Sequence, residues 1–258
     1  MIAPFLVLLS AALAQAPEKP KLAIVVDDFG LTYPKDQPDA DWMALKFPIT
    51  FAVMPVSPRT EKAAAQAAAA GHEVIIHFPF DKYLKLELPK DHVSGSDLKK
   101  VRELFDKAFK QIPSPKGLNN HQSYRGTMNR PMMAEFMKLL KPKGIYFLDS
   151  KVSPKSVAYD EARKAGIPAA VNTFFLDGLK EPKGRKSGDP KKLAATIAED
   201  KAFCEHYLKA AVGLARKNGR AVTIGHHYFH GTYQCLAEQG PKLQAAGIEL
   251  VFASALAR

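Results

Sequence analysis

The feature that most constrains the fold is a repeated alternation of short β-branched apolar runs with longer segments of helical periodicity. The runs predict strands, the segments between them predict helices, and glycines such as Gly71 and Gly219 mark helix ends. Repeated βα units favour a parallel sheet, either closed as a barrel or open and doubly wound. The predicted strands span residues 22–28, 49–55, 73–79, 117–120, 145–150, 169–177, 221–227 and 248–254, and the predicted helices span 40–47, 58–70, 96–111, 131–140, 156–165, 190–217 and 233–246.

Length and composition narrow the class of protein. At 258 residues the chain has the length of one large α/β domain, and no shift of composition marks a second domain. An apolar fraction of 47% excludes a disordered chain. The formal net charge of +11 suits anionic surroundings such as nucleic acid, acidic glycan or a membrane surface. Because the lysines are scattered through helices without a nucleic-acid motif, we expect no nucleic-acid partner.

The N-terminus has the pattern of a secretory signal peptide over residues 1–14. Its apolar run, residues 2–14, is too short to cross a bilayer, and Ala12 and Ala14 form an A-x-A cleavage site. No Lys or Arg precedes the run, which leaves a buried first strand or a retained anchor as the alternative. We therefore expect a periplasmic or extracellular protein whose mature domain, residues 15–258, has no transmembrane helix.

Export would determine the redox environment of the only two cysteines of the chain, Cys204 and Cys235. They lie on separate predicted helices. In an oxidising compartment they can form a disulfide. Two unpaired buried thiols are an equal alternative, because free cysteine behaves as a small apolar residue. The sequence leaves their pairing open.

Polar side chains collect where the predicted strands end. In a parallel α/β fold all these ends lie on one face, where such proteins place their functional sites. Strand ends that simply reach the solvent would also carry polar residues. The repeated occurrence of Asp, His, Asn and Arg at these ends favours a functional site instead. The residues are Asp27, Asp28, His77, Asn119, Asn120, His121, Arg125, Asp149, Ser150, Asp177, His226 and His227.

The first strand raises an electrostatic problem, because its apolar run leads directly into two adjacent carboxylates, Asp27 and Asp28. A nearby cation would offset their repulsion, with one Asp binding it and the other free to act as a base. Asp and His side chains from separate strands indicate a divalent metal with positions left open for water. Successive residues of a strand point to opposite faces of the sheet. We therefore expect a turn at the strand end, helped by Gly30, to bring both carboxylates to the face where the strands end.

Taken in order, the motifs AIVVDDFG, PITFAVMP, GHEVIIHFPF, GLNNHQSYR, GIYFLDS and AVTIGHH resemble the divergent polysaccharide deacetylase family. They span nearly the whole mature chain. The resemblance implies an α/β fold, namely a distorted (β/α) barrel of the polysaccharide deacetylase type, in a single domain with fewer than eight regular strands. It also implies an exported hydrolase that removes acetyl groups from a polysaccharide or peptidoglycan substrate with one divalent metal, for which we expect zinc.

The resemblance also implies roles for particular residues. Asp27 would be the catalytic base, and His226 would protonate the leaving amine. Asp28 and His77 would bind the metal.

The third metal ligand departs from the classical pattern, which has a second histidine four residues after the first. That position holds Asp81, so either Asp81 is the ligand or His121 supplies the missing imidazole. We expect His121, because NNH stands at a strand end and the divergent family carries its histidine there.

Other positions are assigned supporting roles by the same resemblance. Arg125 and Asp149 resemble residues that orient the base and the acid, and a carboxylate such as Asp149 would keep the acid protonated. Asn120, Tyr124 and Ser150 are candidate substrate-binding residues. Aromatic residues near the predicted mouth could stack on sugar rings or simply pack under loops: Phe78, Phe80, Tyr124, Tyr228 and Phe229. Asn172 stands where the family pattern has Asp.

Two other functions remain open. A non-catalytic glycan-binding or envelope scaffold protein on the same barrel is favoured by the loss of the usual HxxxH spacing. Retention of both Asp27 and His226 disfavours it, since a binding protein needs neither base nor acid. A barrel phosphoesterase would need more carboxylate ligands than the sequence offers for a two-metal site.

Overall fold

The computed structural model describes residues 18–32, 37–90, 92–178 and 188–258, so the expected signal peptide lies outside the described residues. Within them the sheet is entirely parallel. Each predicted strand is present, and most have shifted ends. The strands are β1 Lys21–Phe29, β2 Thr50–Val53, β3 Glu73–Pro79, β4 Gly117–His121, β5 Tyr146–Asp149, β6 Ala169–Val171, β7 Phe174–Phe175, β8 Arg220–His226 and β9 Glu249–Val251.

The sheet closes into a barrel through one stretch of chain. The strand order is β6-β5-β4-β3-β2-β1-β8-β7, with β9 paired to β1. Although β6 and β7 stand at opposite ends of this order, only Asn172 and Thr173 separate them in sequence. The segment predicted as one strand over 169–177 therefore pairs with β5 through its first half and with β8 through its second. Counted as one strand, it completes a ring of seven, which confirms a distorted (β/α) barrel in a single domain.

Helices follow most of the strands, and all seven predicted helices are present. Two short helices, Asp81–Leu84 and Tyr124–Met128, were not predicted, because four or five residues are too few to show a 3.6-residue period. Both follow strands at the mouth of the barrel. The equally short helix Asp39–Met43 was predicted only as part of a longer segment, 40–47. The helices are α1 Asp39–Met43, α2 Thr60–Ala69, α3 Asp81–Leu84, α4 Gly95–Gln111, α5 Tyr124–Met128, α6 Arg130–Leu140, α7 Ala158–Lys164, α8 Pro190–Asn218 and α9 His230–Ala245, with 3-10 turns at Lys141–Lys143 and Ala253–Leu256.

Alternation along β1 divides the apolar core into two parts. Leu22, Ile24 and Val26 belong to a large cluster shared with the helices. Ala23 and Val25 belong to a smaller cluster built from strand residues and the C-terminal 3-10 turn, which fills the barrel interior. Because β1 is buried on both faces, its sequence is a continuous apolar run, as parallel strands require.

The two cysteines, whose pairing the sequence left open, form a disulfide that joins α8 to α9, and both are fully buried. Lys201 and Glu238 add an ion pair between the same two helices. In the described ranges, no helix combines the length and apolar character that a bilayer crossing requires.

Candidate metal and acid–base site

A β-bulge in β1 brings the adjacent carboxylates to one side. Between the paired positions Val26↔Phe51 and Phe29↔Val53, β1 advances by one residue more than β2. The bulge contains Asp28, whose φ of 65° lies in the left-handed region. As a result both carboxylates approach Nε2 of His77, with Asp27 Oδ2 at 3.5 Å and Asp28 Oδ1 at 3.3 Å. The expected turn at the strand end is therefore a bulge inside the strand.

Asp28, His77 and His121 each place one ligand atom within 3.3 Å of the ligand atoms of the other two. Asp28 Oδ1 lies 3.0 Å from His121 Nδ1 and 3.3 Å from His77 Nε2, and the two nitrogens are 3.0 Å apart. Zinc bonds of 2.0–2.1 Å in a tetrahedron place neighbouring ligand atoms about 3.3 Å apart. The three expected ligands therefore fit one face of such a site. In the described part of the chain, they are the only grouping of this kind.

Asn119 fixes the tautomer of His77. The Asn119 amide nitrogen donates to Asp27 Oδ1 at 2.8 Å and to Ser150 Oγ at 3.2 Å. Because a carboxylate only accepts, the amide oxygen of Asn119 must face His77 Nδ1, which lies 2.7 Å away. His77 Nδ1 therefore carries the proton and donates it to Asn119, which leaves Nε2 free to bind a cation.

Electrostatics separate the roles of the two carboxylates. Burial raises the pKa of Asp27 above its ordinary value, although His77 and His226 attract its charged form. Burial would also raise the pKa of Asp28, but the neighbouring side chains of His121 and His77 hold it well below its usual range. Asp28 is thus the stable anion suited to hold a cation, and Asp27 is the better proton acceptor.

His226 is held as a cation by Asp177. Its Nδ1 lies 2.6 Å from Asp177 Oδ1, while Asp177 Oδ2 accepts from the His226 backbone N–H at 2.7 Å and the Thr232 hydroxyl at 3.0 Å. Burial disfavours the imidazolium, but the charge of Asp177 outweighs this effect and raises the pKa of His226 to about 10. The register of β1 and β8 places Asp27 opposite His226. A buried carboxylate and a protonated imidazole therefore lie beside the triad.

The prediction that Asp149 keeps His226 protonated is wrong. Asp149 accepts from the Lys151 backbone N–H at 2.8 Å and from the Ser156 hydroxyl at 2.7 Å, so it orders the loop after β5. Asp177 takes that role because it follows β7, which pairs directly with β8. The sequence did contain a sign that Asp177 belongs to the site, since Asp177 also stands at a predicted strand end.

The prediction that Arg125 orients the base is also wrong. Arg125 is exposed, and its guanidinium donates to the carbonyl of Glu87 at 2.8 Å. Asn119 contacts Asp27 instead. Asp81 does not join the metal-binding group, because its carboxylate accepts from the backbone N–H groups of Arg125, at 2.6 Å, and Gly126.

A cavity of about 130 Å³, here called the catalytic cavity, opens onto these groups. Asp27, His226 and the three candidate metal ligands line it, together with Asn120 and Ser150. Two aromatic residues complete the wall: Phe175, which was not predicted and stacks on His226, and Tyr228. Tyr124 is exposed on α5 and does not line the cavity. The lining of the cavity therefore does not support the prediction that Tyr124 contacts the substrate. The remaining predicted aromatics are fully buried: Phe78, Phe80 and Phe229.

The sequence pattern of the family described as divergent polysaccharide deacetylase matches residues 24–200 and 195–257, which include every site residue named above. The chain belongs to the divergent polysaccharide deacetylase family. The resemblance first seen in the strand-end motifs is thereby confirmed, and the family's domain accounts for the whole barrel.

Relatives of this family member share most of its length. The uncharacterized protein YibQ of Escherichia coli (strain K12) is 30% identical over 209 residues, which cover 80% of this chain and 58% of that protein. An uncharacterized Haemophilus influenzae protein is 29% identical over 208 residues, which cover 80% of this chain and 66% of that protein. The match thus spans less than two thirds of either relative. The crystal structure of uncharacterized protein ATU2773 from Agrobacterium tumefaciens C58 has the same fold, with a TM-score of 0.75, 20% identity and coverage of 95% of this chain and 92% of that one.

Proposed function

We propose that this protein is an exported, metal-dependent hydrolase that removes acetyl groups from N-acetylated sugars of a cell-envelope polysaccharide such as peptidoglycan. The observation that carries the proposal is the arrangement of three groups around one cavity: a base, an Asp-His-His triad and a protonated histidine. Metal-assisted hydrolysis of an amide uses all three, whereas a sugar-binding protein needs none of them.

The triad of Asp28, His77 and His121 would hold one divalent cation, and zinc suits its ligand types and spacing. Bound there, the ion supplies Lewis-acid polarisation of the acetamide carbonyl and activation of water. Asp27, oriented by Asn119, accepts the proton of the attacking water. His226 donates from Nε2 to the departing sugar amine, because its Nδ1 is engaged by Asp177. Proton acceptor and donor are thus different side chains.

Two features support export. The buried disulfide is of a kind that persists in oxidising compartments and is rare in the cytosol. The signal-peptide pattern of residues 1–14 agrees with such a compartment.

The competing functions have less support. The argument for a non-catalytic scaffold rested on a missing second histidine, and His121 supplies that imidazole. A two-metal phosphoesterase needs a second ligand group, and the described residues contain one group only.

The test combines metal content with acetate release from N-acetylglucosamine oligomers and peptidoglycan fragments. We expect one ion per chain, lost in His77→Ala. We expect Asp27→Asn to keep the ion but to release acetate about 10²–10⁴-fold more slowly, as removal of a general base requires. A protein that binds the oligomers, holds its ion and still releases no acetate would be the scaffold instead. An ion that remains bound in His77→Ala would overturn the assigned metal site.

A further inference from the structure

A second cavity, of about 280 Å³, adjoins the catalytic cavity. One wall consists of residues 79–81 and Tyr83, where β3 leads into α3, and the other consists of residues 121–123, after β4. His121 and Gln122 line both cavities, so the two spaces share a partition. We call the second space the tyrosine cavity.

Hydrogen bonds fix the walls of the tyrosine cavity to each other. The Phe80 N–H donates to Ser123 Oγ at 2.8 Å, and Asp81 accepts from the Arg125 N–H at 2.6 Å. Gln122 and Ser123 both have left-handed backbones, with φ of 49° and 58°. Non-glycine residues adopt this conformation where surrounding contacts impose it, and such residues cluster at functional sites. The cavity is therefore preformed, which lowers the entropic cost of binding a ligand.

Tyr83 gives the cavity an aromatic surface. Its side chain is 50% exposed, which is unusual for a large aromatic residue. In the described part of the chain its ring stacks on no other aromatic ring, unlike the rings of Phe78 and Phe80 nearby. The face of Tyr83 is thus available to a ligand that is apolar on one face and polar at its edges.

The volumes of the two cavities assign different parts of a substrate to them. A water-sized group occupies about 30 Å³, so the catalytic cavity of about 130 Å³ holds about four such groups. That volume suits an acetamido group, which has four non-hydrogen atoms. The tyrosine cavity of about 280 Å³ has about twice that volume and suits a larger part of the substrate, such as a sugar ring.

We propose that the tyrosine cavity binds the sugar ring next to the unit that carries the reacting acetamido group, with Tyr83 stacked against that ring. This inference rests on the proposed function and extends it to substrate choice. The substrate would be an oligomer or polymer of at least two sugar units. Gln122, between the two cavities, has an amide that can both donate to and accept from sugar hydroxyls.

The test compares Tyr83→Ala with two matched variants of the zinc-loaded full chain. Tyr83→Phe keeps the ring, and Phe203→Ala removes another exposed aromatic side chain, on α8, that lines neither cavity. We expect Tyr83→Ala to raise KM for an N-acetylglucosamine tetramer about tenfold, within the range for loss of one aromatic contact. It should leave kcat and the slower turnover of the monosaccharide unchanged, and both matched variants should retain the original KM.

Direct binding separates this inference from the proposed function. Calorimetric titration of the tetramer should show the same tenfold loss of affinity in Tyr83→Ala. If the unaltered protein releases acetate from the tetramer but Tyr83→Ala matches it, the tyrosine cavity binds no sugar ring. An equal loss on the monosaccharide would place the reacting ring itself in the cavity and would overturn the assignment. If the unaltered protein neither binds nor deacetylates the tetramer, the proposed function fails instead.

Discussion

Replacement of Asp177 by Asn tests the acid of the proposed reaction most sharply. The amide keeps the shape of the carboxyl group but removes the charge that faces His226 Nδ1. In this variant burial lowers the pKa of His226, and the charges of Asp27 and Asp28 are left to oppose that effect. We expect the pKa of His226 to fall from about 10 by about three units.

The shift converts into a rate that depends on pH. At pH 9 a group of pKa about 10 is about nine-tenths protonated, whereas a group of pKa about 7 is about one-hundredth protonated. If His226 must donate a proton, acetate release by Asp177→Asn should fall about 100-fold at pH 9 and far less at pH 6. The assay is the pH profile of kcat/KM for acetate release. In the variant its alkaline limb should move toward neutral pH.

Asp149→Asn is the matched control, because the sequence resemblance assigned Asp149 the role that the structure assigns to Asp177. Its contacts are to the loop after β5, so its alkaline limb should not move. A moved limb in Asp149→Asn together with an unmoved limb in Asp177→Asn would refute the reasoning.

Stability provides a second readout that does not require activity. The pKa of His226 is higher in the folded chain, about 10, than the ordinary value of 6.5. The pair of His226 with Asp177 therefore stabilises the fold fully below pH 6.5, and this contribution is lost as pH rises through about 10. The free energy of unfolding of the metal-free protein should decline over that range, and Asp177→Asn should reduce the decline.

Three further predictions concern positioning and packing. Asn119→Leu removes the partner of His77 Nδ1 and should weaken zinc binding about 10- to 100-fold in a competition titration, with no weakening being the contrary result. Gly126→Ala places a methyl group 2.7 Å from the Asp81 carboxylate and 2.8 Å from Phe80, and should cost about 1–3 kcal/mol in chemical denaturation. Gly213→Ala on α8, with no atom within 4 Å of the added carbon, should instead stabilise the protein by about 0.5–1 kcal/mol, and equal effects would refute the packing argument. Replacement of both disulfide cysteines by Ser should cost about 2–4 kcal/mol, whereas an unchanged denaturation midpoint would show that the bond does not stabilise the fold.

The sequence was sufficient for the barrel and for the grouping of Asp28, His77 and His121, for physical reasons that can be named. Strands of a parallel sheet leave buried runs whose carboxyl ends meet on one face, so residues far apart in sequence such as Asp28, His77 and His121 were expected together. Most of the helices that the sequence located have enough turns to show their period. The short helix that follows His121 has too few.

Which side chains contact each other within the site depends on the register and the order of the strands around the barrel. A sequence does not show either of these. Asp177 reaches His226 because the chain passes from β6 to β7, and β7 pairs with β8. The role of Asn119 depends on which atoms of Asp27 and His77 face its amide. The resemblance to known motifs proposed Asp27 as base and His226 as acid, but the residues that contact them in the structure are Asn119 and Asp177, not Arg125 and Asp149.

The bulge in β1 links the fold to the chemistry. A left-handed backbone costs an ordinary residue about 1–2 kcal/mol, and glycine would adopt the φ of 65° at position 28 without that cost. Asp stands there instead, and its carboxylate lies within 3.3 Å of both imidazoles. Neither backbone propensity nor core packing favours a buried carboxylate at this position. The proposed function explains the carboxylate by the cation that it would bind, and the extra residue that creates the bulge would then give two mutually repelling groups the separate roles of metal ligand and base.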